Sequence, residues 1–133
     1  MIPSLLVALG GALGSVGRYW ATVLVSHALG ERFPWATIGI NVLGSFAIGL
    51  FATLTTPGGA VAASNEVRVF FMTGVCGGFT TFSSFSLQTL TLARAGGWLA
   101  AAANVLLSVA PCLLAVALGH LLALRCMPGT RAF

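Results

Sequence analysis

Residues 74–88 read GVCGGFTTFSSFSLQ and lie inside an apolar stretch of the chain, roughly 67–92. A stretch of that length exceeds the ~20 residues that a membrane-crossing helix needs. Its middle, however, places Gly77-Gly78 beside Phe79 and the pair Thr80-Thr81. Glycine's backbone freedom and threonine's stiff side chain both lower helix propensity there, which predicts a break near Gly77–Thr81. A break frees backbone N–H and C=O groups that hydrocarbon cannot satisfy, so it persists in a membrane only when buried in protein or lining a polar cavity. The break is therefore a candidate site. Directly after it, Phe82 and Phe85 stand at i and i+3 and share one helix face, with Ser83, Ser84 and Ser86 filling the gaps.

The rest of the chain agrees with a membrane setting. Of its 133 residues 58% are hydrophobic and only 6% charged, more apolar surface than one small soluble domain hides. Four apolar stretches, about 2–28, 34–56, 67–92 and 97–124, predict an all-α integral membrane protein: one four-helix transmembrane domain with the third helix broken. The connectors hold the expected punctuation, Gly30 to Pro34, Pro57-Gly58-Gly59 and Arg94-Ala95-Gly96. The first stretch runs past the length of a signal-peptide core and has no basic leader, so it is expected to stay in the mature protein. The net charge of +4 comes from six arginines against two glutamates, with no lysine and no basic cluster, and a nucleic-acid partner is not expected. Cys76, Cys112 and Cys126 lack metal-ligand spacing and read as small buried hydrophobes.

Arginine also bears on orientation. Arg68, Arg125 and Arg131 fall on the N-terminal face and Arg18, Arg32 and Arg94 on the other, three against three. The positive-inside rule needs an excess on one side, so one orientation and insertion in both directions remain open on charge alone. Gly10 and Gly14 share a face of helix one with Arg18, and the glycines read as a close helix contact. For Arg18 two readings stand: a side chain snorkelling to the interface beside Tyr19 and Trp20, or a fixed positive charge at an anion entry.

Helix two carries Thr37, Asn41 and Ser45 four residues apart, and helix four carries Asn104 and Ser108 at the same spacing. Each stripe reads either as hydrogen-bonding glue between helices or, taken with the serines after the break, as the lining of a polar track. No Asp, Glu or Lys lies within the four stretches, whereas proton-coupled carriers and cation transporters normally keep an intramembrane carboxylate. His27 and His120 sit near helix ends and form no catalytic or metal arrangement, so an enzyme is not expected. A neutral, donor-rich track with arginine near one end suits a small anion.

The runs GGFTTFSSFS at 77–86, GINVLGSFAIG at 39–49 and GALGSVGR at 11–18 resemble the Fluc (CrcB) family of fluoride channels. The resemblance spans all four helices. It implies an antiparallel, dual-topology homodimer with two fluoride pores, in a prokaryotic inner membrane. It further implies a structural Na+ at the dimer centre held by the backbone carbonyls of Gly77 and Thr80. By the same resemblance Phe82 and Phe85 face fluoride, Asn41 is the amide donor between them, Ser83, Ser84, Ser108 and Thr37 belong to the polar track, and Arg18 attracts anions at the entry. Gln88 stands where relatives often carry glutamate, and Asn104 where some carry tyrosine. Two other functions are weighed against the channel: a small proton-coupled carrier, which would need the absent carboxylate, and a non-conducting assembly subunit.

Overall fold

The computed structural model describes residues 1–127, so Arg131 of the charge balance lies outside the described residues. Helix α1 spans Ile2–Leu29, with proline in its first turn, and stops at Gly30, whose φ of 77° is left-handed and suits glycine. Helix α2 follows Pro34 and spans Trp35–Leu54. The third run of chain is split into α3, residues 65–79, and α4, Phe82–Arg94. After a turn at Gly96 (φ 81°), α5 spans Trp98–Arg125 and includes Pro111.

Helix α3 changes winding along its length. Ser64 caps its first turn by accepting the Val67 N–H at 3.4 Å. Val69–Cys76 is then a wide π-helical coil, and Gly77–Phe79 returns to α geometry before the chain opens out. The break lies within the expected stretch but is not made by its glycines. Gly77 is helical at φ −64°, ψ −37°, whereas Thr80 (φ −80°, ψ 156°) and Thr81 (φ −151°, ψ 111°) are extended.

The glycines have a different task, close approach. A Cβ on Gly14 would meet the Val75 carbonyl oxygen and the Phe79 nitrogen, and one on Gly78 would lie 2.5 Å from the Gly11 carbonyl oxygen. The α1–α3 seam is therefore backbone against backbone, and that contact outweighs a helix penalty of about 1 kcal/mol per glycine. The broadest seam joins α2 to α5, while α4 rests mainly on α5.

Little lies inside this small bundle. The buried apolar residues are mostly small, such as Ala36, Ala101, Ala115 and Ala123, and the largest fully buried side chain is a polar one, Asn104. The outward faces carry leucines in quantity, among them Leu5, Leu9, Leu13, Leu106, Leu113 and Leu118. A surface so continuously apolar is matched to hydrocarbon rather than water. Helices α2 and α5 are each long and apolar enough to cross a membrane. Of the cysteines, Cys76 is buried and Cys112 half-buried, but Cys126 is exposed beyond the end of α5, contrary to its reading as buried.

Candidate functional site

The break is held open by a side chain from another helix. Asn41, about a third of the way along α2, accepts the Thr81 N–H on Oδ1 at 2.8 Å and donates from Nδ2 to the Thr81 carbonyl at 3.1 Å. Its amide thus stands in for the helical partners that Thr81 has lost. Thr81 in turn caps α4: its Oγ1 accepts the Ser84 N–H at 3.3 Å and lies 3.0 Å from Ser84 Oγ and 3.3 Å from Ser83 Oγ. One consequence reaches back to α3. With Thr81 N–H given to Asn41, the Gly77 carbonyl has lost its donor four residues on.

Beside the break lies an open groove of about 400 Å3, lined in part by Asn41, Gly77, Thr80, Phe82, Phe85 and Ser108. Thr81 and Ser45 also reach it, and most of the remaining wall is apolar. The two phenylalanine rings are neighbours, centroids 5.1 Å apart and tilted by 54°. They differ in burial: Phe85 is 8% exposed and Phe82 74%. Phe82 projects from the chain's surface.

A second polar chain runs behind the groove. Ser108 Oγ donates to Asn104 Oδ1 at 3.3 Å, Asn104 Nδ2 donates to Thr89 Oγ1 at 2.8 Å, and Thr89 Oγ1 donates to the Phe85 carbonyl at 2.8 Å. The four-residue spacing in the sequence pairs Asn104 with Ser108 but does not single out Thr89. A threonine bonding back to the carbonyl four residues earlier is common in helices and gave no signal. Nearby, Gln88 Oε1 is buried and has no hydrogen-bond partner among the described residues.

Not every expected residue meets in the groove. Thr37 is buried at 5% exposure and does not line it, nor do Ser83 and Ser84, whose hydroxyls turn to Thr81. Arg18 is half-buried on α1 and is likewise absent from the groove wall. Arg68, one of the six arginines of the charge balance, clamps the end of α2: its Nη1 donates to the Thr55 carbonyl at 2.7 Å, to Thr55 Oγ1 at 2.6 Å and to the Ala52 carbonyl at 3.4 Å. At the α3 entrance Glu66 is held below the usual carboxylate range by its own backbone N–H and by Ser64.

Residues 5–120 match the family described as CrcB-like protein, Camphor Resistance (CrcB). The chain belongs to the CrcB family. Among CrcB relatives, the protein of Paramagnetospirillum magneticum named "Fluoride-specific ion channel FluC" is 61% identical over 92% of this chain and 96% of the relative. One of the same name from Rhodospirillum rubrum is 62% identical over 87% of this chain and 90% of the relative. Another, from Opitutus terrae, is 59% identical over 90% of each. Every residue named above as lining the groove falls within the CrcB match.

Proposed function

We propose that this chain is a fluoride-selective anion channel that lets cytoplasmic fluoride leave passively, down its electrochemical gradient. The observation that carries the reading is identity of 61% and 62%, over most of the chain, to relatives named fluoride-specific ion channels. The chain is one four-helix transmembrane domain of a prokaryotic inner membrane, crossing four times, and two copies pair antiparallel to give two pores. The exposed Phe82 and the open groove supply a surface for that second copy.

Phe82 and Phe85 present ring edges, the positive part of the aromatic quadrupole, to an anion that has shed water. Asn41 lines the same groove, and the Nδ2 hydrogen not given to Thr81 is available to that anion. Ser108, on the groove wall, continues the donors that must replace fluoride's hydration shell; Ser83, Ser84 and Thr37 lie off that wall and would join the track only beyond the groove, and Arg18 raises anion concentration at the entry. Hydrogen fluoride crosses bilayers neutral and ionises in a less acidic interior, so outflow of the trapped ion needs no energy coupling.

The carbonyls fit a structural Na+. Gly77 offers an oxygen released from helical bonding, Thr80 an oxygen on extended backbone, and both residues line the groove. Hard oxygen donors of this kind suit a hard cation, which would neutralise their partial charge and tie two copies together.

Efflux from liposomes containing the purified protein, followed with a fluoride electrode, tests the reading. Fluoride should leave rapidly, chloride should not, and Phe82→Ile should abolish the flux. Efflux no faster than from protein-free liposomes rejects the channel. Fluoride uptake driven uphill by an imposed pH gradient, beyond the accumulation that hydrogen fluoride permeation alone gives in protein-free liposomes, would identify a proton-coupled carrier instead.

A further inference from the structure

The hydrogen-bond chain behind the groove has a direction. Ser108 donates to Asn104, Asn104 to Thr89, and Thr89 to the Phe85 carbonyl, whose second lone pair is left to the helix. The chain touches the groove only at its ends, since Ser108 and Phe85 line it and Asn104 and Thr89 do not. Asn104, only 1% exposed, is beyond the reach of any occupant. A side chain this buried acts on the groove through its neighbours.

The bond from Ser108 has a chemical consequence. An amide Oδ1 only accepts, so the Ser108 proton is turned inward and the hydroxyl shows the groove its lone pairs. Lone pairs repel an anion. To serve one, the hydroxyl must rotate and give up Asn104.

We propose that Asn104, backed by Thr89, is a positioning residue of the channel: it competes with the permeating anion for the Ser108 proton and so sets how weakly the groove holds fluoride. This rests on the channel reading above. Conduction requires binding that is favourable enough to enter and weak enough to leave, and an internal competitor for a donor is a way to weaken binding without removing the donor. Asn104→Leu keeps the branched shape, although its methyl groups are bulkier, and removes the competitor, and Ser108→Ala removes the donor over which the two compete. Thr89→Val deprives the Asn104 amide of its acceptor and loosens its hold more gently.

The test measures the fluoride concentration that half-saturates flux through the full chain in liposomes. Asn104→Leu should lower it about fivefold, the factor that one net hydrogen bond of ordinary strength supplies. In the Ser108→Ala background the same substitution should change nothing. Thr89→Val should shift the value in the same direction by less, again only while Ser108 is present. An equal shift with or without the Ser108 hydroxyl, or an unchanged value in a conducting variant, overturns the proposal. If Asn104→Leu fails to assemble, the Thr89→Val pair decides alone by the same two criteria. A wild-type protein that passes no fluoride defeats the channel reading and this inference together, whereas conducting variants with unaltered saturation defeat only the inference.

Discussion

Helices α3 and α4 are two halves of one run of chain, and they are secured by different physics. Helix α3 lies against α1 through glycines, with Gly74 and Gly78 so near Gly10 and Gly11 that backbone touches backbone. Such a contact needs no directed bond and forgives no added atom. Helix α4 contains no glycine, leaves Phe82, Ser83, Ser86, Leu87 and Leu90 exposed, and is fixed at its start by the Asn41 and Thr81 bonds and along its length by Thr89 and Asn104. Shape anchors the first half, whereas hydrogen bonds aim the second. The half that carries the candidate pore residues is the one whose orientation depends on a few polar atoms.

The contrast can be broken most severely at the glycine seam. Gly14→Val places atoms on the Val75 oxygen and Phe79 nitrogen, neither of which can swing aside. We expect a loss of about 3 kcal/mol or more, at the upper end of overpacking costs, read as a fall in thermal midpoint and in monodisperse yield in detergent. An unchanged midpoint would mean that the seam has slack. Next in size, Asn41→Leu strands both the N–H and the C=O of Thr81, at about 1–3 kcal/mol for each buried group left unmade. Its hydrogen-exchange signature sharpens the comparison. Amides from Phe82 to Phe85 should exchange faster while those of α3 stay protected; uniform loss of protection would argue that the halves are not separately held.

The smallest effect belongs to Glu66, at the entrance of α3. Its folded value lies below 4.5 because the charged form accepts hydrogen bonds, so the stabilisation is present above 4.5 and is lost as pH falls through the folded value. Glu66→Gln should lower the thermal midpoint slightly at neutral pH. The gap between variant and wild type should close on acidification below 4.5. A gap that persists at low pH would place the effect in packing rather than charge.

Local chemistry in the sequence located these features better than it explained them. The break was legible because low helix propensity is a local property, and the pairing of Phe82 with Phe85 because i and i+3 share a face. The exchange of roles between glycine and threonine was not, since close approach depends on α1, more than sixty residues away in the chain. Asn41 stood out as a polar residue in an apolar helix, yet its partner Thr81 lies 40 positions on. Nothing in a single sequence pairs them. The same holds for Asn104 with Thr89 and for Arg68 with Thr55, where a polar residue was visible and the atom it serves was not.

That last clamp has a practical side. Because Arg68 grips the carbonyl end of α2 directly, the junction between the second and third runs does not rest on the loop alone. The connector folds back on the same end, with the Val61 N–H on the Leu54 carbonyl at 3.0 Å and the Gly59 N–H on the Thr56 carbonyl at 2.7 Å, so a reporter is best spliced at Gly58 itself, which faces open space.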